Sequence, residues 1–476
     1  MDVLIIGAGP AGLAAALRAA VLGARTTLVT RAEYGGMAAN DGPVPVRTLA
    51  HAARLMREVR QCHRYGIETG TPRLDYGHLL GRVQEVVRDV RAHSVLREQL
   101  EGLGVTVLEK AGTARFLDEH TLETESGQRL RADRFIICAG GISRPLPVPG
   151  AELTATHSDA WSLTRVPPSL LVVGGGATGV QLASVFNAFG SRVQLFEAGP
   201  RILRTEDEDV AEAVRAALLE AGIDVREGFG TIDSFERIRD GVQMNFTRAR
   251  GRERAEAALA VVAIGWAADV AGLNLADAGV DTSARGFIAV DDQLRTSAHH
   301  IFAAGDVTGR RMLVPPAMQD GFVAATNAVL GASLTSEYSV NPIASFTDPE
   351  YAQVGLTEAN ARETHDVIVA TVHCDAATRT LIDGRTTGFC KLVVARSGTI
   401  LGCHIVGERA AETAQAAAIA IAARMRVAEL ARVPFSFPTY TGMLGRAAAV
   451  ATHQLNQQVG WQANPLDGLE SAVSVH

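Results

Sequence analysis

The chain carries the same strand, loop and helix unit twice, with glycines at matching positions in each loop. The apolar residues 3–6 lead into the loop 7–12 and a helical stretch over residues 13–22. The apolar residues 170–173 lead into the loop 174–179 in the same way. Both loops read G-x-G-x-x-G, a pattern that allows a tight turn, close approach of the backbone to a pyrophosphate and close helix packing. The sequence therefore predicts two dinucleotide-binding units on parallel sheets.

The residue that ends the second strand differs between the two units. In the second unit it is Glu197, about 20 residues beyond the loop, where a carboxylate accepts a hydrogen bond from a ribose 2′-hydroxyl and repels a 2′-phosphate. This favours NADH over NADPH, although Glu197 as a merely solvated strand end is the alternative. In the first unit the strand ends in Thr30 and Arg31, and a threonine hydroxyl bonds a ribose less strongly than a carboxylate does.

Composition and charge exclude several classes of partner and site. The net charge is −7 without long runs of one sign, which argues against nucleic acid as a partner. We find no uninterrupted apolar stretch of about 20 residues and therefore expect no membrane span. The five cysteines include no C-x-x-C pair, and the neighbouring His299 and His300 point to opposite faces of an extended chain, so we expect no metal site. A reducing, cytoplasmic setting fits this cysteine usage.

The segment 296–307, which ends in Gly305, Asp306 and Val307, resembles the second flavin motif of the pyridine nucleotide-disulfide oxidoreductases. The segment 138–141 resembles that family's crossing from the FAD domain to the NAD domain, and 263–265 resembles the return. The stretches 346–357 and 391–407 resemble its dimerisation domain. The resemblance implies an α/β fold with two doubly wound nucleotide-binding domains, for FAD and NAD, plus a C-terminal α+β dimerisation domain.

The resemblance also implies domain boundaries and a homodimer. The expected divisions are residues 1–147 and 271–335 for the two segments of the FAD domain, 148–270 for the NAD domain, 341–460 for the dimerisation domain and 461–476 for a tail. FAD and NADH are the implied cofactors. A helix over residues 315–328 would direct its unpaired N–H groups at the flavin pyrimidine edge.

Two sets of cofactor contacts follow from the motifs and the resemblance. Asp306 would hold the flavin ribitol. The FAD set is Gly7, Gly9, Pro10, Ala11, Gly12, Thr30, Arg31, Gly36, Met37, Arg47, Ala139, Gly140, Gly305, Asp306 and Ala317. The NAD set is Gly174, Gly176, Thr178, Gly179, Glu197 and Gly265.

The catalytic groups of the family's disulfide-reducing members are replaced. Ala38 and Pro43 stand where two redox cysteines would be, and Phe437 stands where the C-terminal histidine would be. A lysine and a glutamate that sit against the flavin in the family correspond to Arg47 and Gln181. Without a thiolate, disulfide exchange by the family mechanism is not expected.

Electrons would therefore leave the flavin directly for a small acceptor. Ala38 and Pro43, with Phe437 and Tyr440 from a second subunit, would form an apolar pocket that suits a quinone-like acceptor. Asp41, in the same loop, is a candidate proton donor unless it is simply a solvated carboxylate. Three alternatives remain: a closed pocket with slow, unspecific oxidase or diaphorase activity, a soluble pyridine nucleotide transhydrogenase, or a non-catalytic flavin-containing binding protein.

Overall fold

A computed structural model describes residues 1–92, 95–161, 163–249 and 251–456. The predicted tail, 461–476, and the last four residues of the predicted dimerisation domain lie outside this part of the chain. The helices are α1 (Pro10–Val21), α2 (Gly36–Asn40), α3 (Pro43–Gln61), α4 (Tyr76–Ala92), α5 (Val95–Gly102), α6 (Ala177–Ala188), α7 (Glu208–Glu220), α8 (Val314–Leu330), α9 (Glu358–Thr364), α10 (Thr378–Ile382), α11 (Ala410–Ala422), α12 (Val427–Leu430) and α13 (Gly442–Gln454).

Twenty-two strands form the sheets of the described chain. They are β1 (Asp2–Ile6), β2 (Arg25–Val29), β3 (Thr106–Leu108), β4 (Arg115–Asp118), β5 (Thr121–Glu123), β6 (Arg129–Arg131), β7 (Arg134–Ile137), β8 (Gly141–Ser143), β9 (Ser169–Val173), β10 (Arg192–Glu197), β11 (Asp224–Glu227), β12 (Thr231–Ile238), β13 (Gly241–Arg248), β14 (Gly251–Ala257), β15 (Leu259–Val262), β16 (Trp266–Ala268), β17 (Ile301–Ala303), β18 (Ile343–Ser345), β19 (Tyr351–Gly355), β20 (Val367–His373), β21 (Phe389–Ala395) and β22 (Ile400–Val406).

The first sheet is parallel and has the order β17, β7, β1, β2, β3. Its central strand β1 is buried at four of its five residues, as expected of a strand covered on both faces. Because β17 follows the second glycine loop in sequence, two separate stretches of chain build this sheet. Helix α8 packs on α1 so closely that a Cβ at Gly321 would lie 2.0 Å from the carbonyl oxygen of Ala11.

The second sheet is also parallel, with the order β11, β10, β9, β15, and the antiparallel strands β12 to β14 form a separate sheet. Strands β8 and β16 pair as an antiparallel ribbon where the chain leaves the first sheet and later returns to it. The two doubly wound units predicted from the glycine loops are therefore present, joined by this ribbon.

The C-terminal sheet is antiparallel, with the order β18, β19, β22, β21, β20. All seven residues of β21 are buried. Helices α11 and α13 present alanines to this core, including Ala414, Ala447 and Ala448. Small side chains let both helices approach the sheet closely, which explains the alanine-rich pattern.

An ion cluster around a buried lysine joins the C-terminal sheet to the second unit. The side chain of Lys391 on β21 is 2% exposed, and its Nζ lies 3.0 Å from Asp207, 2.6 Å from Asp209 and 3.5 Å from Glu358. The neighbouring Glu206 is also buried, and desolvation raises its pKa to about 7. The segment just before α7 is thus anchored to the C-terminal domain by charge.

The predicted elements are present, with one systematic shift. Helix α1 begins at Pro10, three residues earlier than expected, because proline is favoured at the first helical position. The last glycine of each loop therefore lies inside the first turn of its helix. No helix among the described residues is long and apolar enough to cross a membrane.

Candidate functional site

In the first glycine loop, backbone atoms leave no room for a side chain at Gly7 or Gly12. Gly7 has a φ of +107°, and a Cβ there would lie 2.2 Å from the carbonyl oxygen of Cys138. A Cβ at Gly12 would lie 1.8 Å from the carbonyl oxygen of Gly7. Gly9 caps α1, so the free N–H groups of the helix open onto the carboxyl edge of the sheet. This is the geometry of an anion-binding helix terminus.

The second loop repeats this geometry. Gly174 has a φ of +109°, and a Cβ at Gly179 would lie 1.8 Å from the carbonyl oxygen of Gly174. Gly176 caps α6 with φ −76° and ψ −179°, against −77° and −178° at Gly9. No atom lies within 4 Å of a Cβ built at Gly176, so the space above the N-terminus of α6 is open. Thr178 lies in the first turn of the same helix, and Gly265 lies at the return crossing with a φ of +105°.

Glu197 is fixed at the edge of the second loop. Its carboxylate accepts hydrogen bonds from the backbone N–H groups of Gly175, at 2.7 Å, and Gly199, at 2.6 Å. The side chain is therefore not a freely solvated strand end, and it holds a negative charge beside the loop. A carboxylate in this place suits the ribose of a nicotinamide nucleotide.

The strand end of the first unit is arranged differently. Thr30 is buried, and its backbone N–H bonds to the carbonyl of Leu108. Arg31 forms an ion pair with Asp269, whose own N–H bonds to the carbonyl of Gly140 at 3.1 Å. The guanidinium predicted as an FAD contact is thus held by a carboxylate of the return crossing, an interaction that no local pattern indicated.

Asp306 lies in a short 3-10 turn, Gly305–Thr308, directly after β17. Its carboxylate has no hydrogen-bond or ion-pair partner among the described residues, and burial raises its pKa to about 6, with a smaller effect from Asp320. The turn contacts both neighbouring helices, since a Cβ at Gly305 would lie 2.9 Å from that of Ala11 and 3.4 Å from that of Ala317. An unpaired carboxylate here fits the hydroxyl groups of a flavin ribitol.

Asp320 is a buried carboxylate that the sequence analysis missed. It is fully buried on α8 and accepts hydrogen bonds from Ser336 and Tyr338, and from the N–H of Gly305 at 3.4 Å. It therefore supports the turn that carries Asp306. A single carboxylate in a helix with no other charged residue was the signal that could have identified it.

The loop predicted to lack redox cysteines lies against the first glycine loop. A Cβ at Gly36 would lie 2.5 Å from the Cα of Gly9, so α2 begins in contact with the loop. Ala38 lies on α2 and Pro43 begins α3, and both are partly exposed. The turn between the two helices closes through a 2.7 Å bond from the N–H of Gly42 to the carbonyl of Met37. All five cysteines are elsewhere and unpaired.

Arg47 and Gln181 both contact one segment of the C-terminal domain. The Arg47 guanidinium stacks 4.4 Å from the ring centre of Phe346, and it has no carboxylate partner among the described residues. The side-chain amide oxygen of Gln181 accepts a 3.1 Å hydrogen bond from the backbone N–H of Phe346. Arg47 is solvent-accessible, yet the protein around it lowers its pKa by desolvation.

The two C-terminal aromatic residues differ in exposure. Phe437 is 81% exposed and available to a second subunit. Tyr440 is 9% exposed, and its hydroxyl donates a 2.6 Å hydrogen bond to Asp383 of the same chain. The structure therefore brings Phe437, but not Tyr440, to an open surface, because Asp383 holds Tyr440 against its own domain.

The residues present fit two dinucleotides. The first loop, the unpaired Asp306 and the N-terminal end of α8 lie side by side, since Gly305 meets Ala11 of α1 and Ala317 of α8. The second loop and Glu197 form the other site. In contrast, no group of three or more His, Cys, Asp or Glu in the described ranges could hold a metal ion.

Comparisons with known proteins agree with this architecture. Residues 1–321 match the pyridine nucleotide-disulphide oxidoreductase family, and residues 341–448 match its dimerisation domain. A dihydrolipoyl dehydrogenase of Thermus scotoductus is 34% identical over 96% of this chain and 99% of its own length. A mercuric reductase of Shigella flexneri is 36% identical over 96% of this chain and 82% of its own length.

Solved structures of similar proteins share the fold. The crystal structure of LpdA from Mycobacterium tuberculosis has a TM-score of 0.85 and 26% identity, covering 94% of this chain and 99% of that one. The HOCl-induced flavoprotein disulfide reductase RclA from Escherichia coli has a TM-score of 0.83 and 25% identity, covering 94% of this chain and all of that one. The chain therefore belongs to the pyridine nucleotide-disulphide oxidoreductase family, whose cofactors are FAD and a nicotinamide nucleotide.

Proposed function

We propose that this chain is an NADH-dependent flavoprotein oxidoreductase that passes electrons from FAD directly to a small, quinone-like acceptor. The observation that carries the proposal is the loop from α2 to α3, where Ala38 and Pro43 replace sulfur. When bound, FAD accepts two electrons from a nicotinamide and delivers them to an acceptor. The protein's part is to bind both nucleotides, to position the acceptor and to supply protons.

The preference for NADH rests on the position of Glu197. Its carboxylate is held by the N–H groups of Gly175 and Gly199, so it cannot swing away from the loop without breaking two hydrogen bonds. A 2′-phosphate would meet this fixed negative charge, whereas a 2′-hydroxyl can donate to it. The same residue argues against a transhydrogenase, which must also accept the phosphorylated nucleotide.

The acceptor site is proposed on the exposed side of Ala38 and Pro43. Phe437, exposed in the single chain, would complete the pocket from the second subunit of a homodimer. These three side chains are apolar, so they suit a flat apolar molecule better than a metal ion or a charged disulfide peptide.

Arg47 would give this pocket its positive charge. In the family pattern a glutamate occupies the position of Gln181, whereas here a neutral amide bonds to the backbone of Phe346. The Arg47 guanidinium therefore has no carboxylate to offset it. An uncompensated positive charge favours negative charge on the flavin or on the carbonyl oxygens of an acceptor.

The first test is an anaerobic titration of the purified protein with NADH and then NADPH, followed through the flavin absorbance. We expect NADH to bleach the flavin and added benzoquinone to restore it, with no turnover of lipoamide or oxidised glutathione. Bleaching by both nucleotides with exchange between them would favour a transhydrogenase. A flavin that neither nucleotide bleaches would instead indicate a binding protein.

A Phe437→His variant tests the thiol-free mechanism directly. It restores the aromatic base that the disulfide-reducing pattern has at this position, but it adds no thiol. We expect no disulfide reductase activity from this variant, and turnover of oxidised glutathione or lipoamide would refute a thiol-free mechanism.

A further inference from the structure

A chain of hydrogen bonds leads from the ribbon between the two nucleotide-binding units to the loop of Ala38 and Pro43. Its members are Ser143 on β8, His157 and Ser158 on the following segment, and Asp41 between α2 and α3. Ser143 Oγ lies 3.2 Å from His157 Nδ1, His157 Nε2 lies 3.4 Å from Ser158 Oγ, and Ser158 Oγ donates to Asp41 Oδ2 at 2.6 Å.

We propose that Asp41 delivers to the acceptor the proton that accompanies its two electrons, and that Ser158, His157 and Ser143 position Asp41 for this transfer. The inference rests on the proposed function. Asp41 is the carboxylate inside the loop, two residues from Pro43, and its side chain is 34% exposed. It can therefore exchange protons with water on one side while Ser158 holds it on the other.

The directions of the hydrogen bonds are consistent along the chain. With the hydrogen on Nε2, His157 accepts from the Ser143 hydroxyl and donates to Ser158, which in turn donates to Asp41. Each donor thus points towards the carboxylate, so the proton that Asp41 delivers is first taken up from water at its exposed edge. His157 is 4% exposed, its ring lies 4.9 Å from that of Trp266, and its Nε2 lies 3.7 Å from Asp41 Oδ2.

Burial keeps His157 neutral near pH 7, which this direction requires. Desolvation lowers its pKa, and the charges of Asp41 and Asp159 only partly oppose the effect. Asp159 itself accepts hydrogen bonds from the backbone N–H and the hydroxyl of Thr156, so it belongs to the same turn. A neutral imidazole can accept at one nitrogen and donate at the other.

The proton balance leaves a role for such a group. Reduction of a quinone to a hydroquinone takes up two electrons and two protons. Oxidation of NADH to NAD⁺ supplies two electrons and one proton, so the second proton must come from water, and a protein group can deliver it to the acceptor. The family's histidine, which could have supplied it, is replaced by Phe437.

The test compares two acceptors in the holoenzyme. Benzoquinone needs protons, whereas ferricyanide takes one electron and no proton. For Asp41→Asn we expect kcat with benzoquinone to fall at least about tenfold, since general acid catalysis contributes about 10² to 10⁴, with the ferricyanide rate within about twofold of the unchanged protein. Asp75→Asn is the matched control, an exposed carboxylate that accepts from the N–H of His78 at the start of α4, and it should leave both rates unchanged.

A second readout does not depend on turnover. Histidine pKa values measured by NMR should show that of His157 falling in Asp41→Asn, because a neighbouring negative charge is removed, and staying constant in Asp75→Asn. Ser158→Ala should lower the benzoquinone rate and spare the ferricyanide rate.

Four results would overturn the proposal. Equal losses with both acceptors in Asp41→Asn would show a structural role, and an unchanged benzoquinone rate would show that Asp41 carries no proton. If the pKa of His157 is the same in Asp41→Asn as in the unchanged protein, His157 and Asp41 do not interact as proposed. If the unchanged protein reduces ferricyanide but not benzoquinone, the proposed acceptor class is wrong and the role of Asp41 falls with it.

Discussion

The same added methyl group should have different effects at two glycines of the second loop, lowering stability at Gly179 and nucleotide affinity at Gly176. At Gly179 a Cβ would lie 1.8 Å from the carbonyl oxygen of Gly174, whereas ordinary contacts begin near 3.4 Å. Gly179→Ala therefore has to push α6 away from β9. Overpacking of this kind lowers the free energy of unfolding by about 2 to 3 kcal/mol. For a domain of the size predicted for residues 148–270, this lowers the melting temperature by roughly 10 °C.

At Gly176 the same change meets no protein atom. The backbone angles there are open to any residue, and nothing lies within 4 Å of the new Cβ. Stability should stay within about 0.5 kcal/mol of the unchanged protein. The methyl group would instead occupy the space where a pyrophosphate approaches the N-terminus of α6, so we expect at least about tenfold weaker binding, or about 1.4 kcal/mol.

Calorimetric titration with NAD⁺, which does not reduce the flavin, separates affinity from turnover, and thermal unfolding reports stability. The expected pattern is weak binding with normal stability for Gly176→Ala, and a lowered melting temperature for Gly179→Ala. Wild-type affinity in a stable Gly176→Ala protein would refute the assignment of this loop to the nicotinamide nucleotide.

Three further outcomes follow from the charges described above. Glu197→Ala should narrow the ratio of kcat/KM for NADH over NADPH, and an unchanged ratio would mean that the ribose contact lies elsewhere. Lys391→Met leaves three carboxylates without their buried cation, so it should lower the free energy of unfolding by about 3 to 5 kcal/mol, measured by thermal unfolding. The control Lys110→Met, at an exposed lysine, should lower it by less than about 1 kcal/mol. Because burial raises the pKa of Glu206 to about 7, the folded state holds this proton more tightly than the unfolded chain, so stability should fall by about 3 kcal/mol as pH rises from about 4.5 to 7. The Glu206→Gln variant should not show this loss of stability. The reasoning would be contradicted if the melting temperatures of the variant and the unchanged protein differed by the same amount at every pH between 4.5 and 8.

The loops and sheets were predictable because their signals are local. A strand, a glycine pattern and a helix within about 30 residues specify one geometry, since only glycine tolerates the crowding at Gly12 and Gly179. The early start of α1 was not predictable from the glycine pattern alone, since Gly12 serves both the loop and the first turn of the helix.

The side-chain partners were not predictable for the opposite reason. Asp41 meets Ser158 across 117 residues, Gln181 meets Phe346 across 165, and Arg31 meets Asp269 across 238. Hydrophobic periodicity indicates which face of an element is buried, but it does not indicate which distant polar group will meet it. The hydrogen bond from Tyr440 to Asp383 was not predictable for the same reason, because Asp383 lies on a separate segment.

The burial of Lys391 bears on how the protein can be labelled. The chain has two lysines, and Lys110 is 69% exposed while Lys391 is 2% exposed and held by carboxylates. Among lysine side chains, an amine-reactive dye will therefore attach to the folded protein at Lys110. Lys391 becomes reactive only when the C-terminal sheet separates from the segment before α7. The rate at which a second label is incorporated would therefore report how often this contact between domains opens.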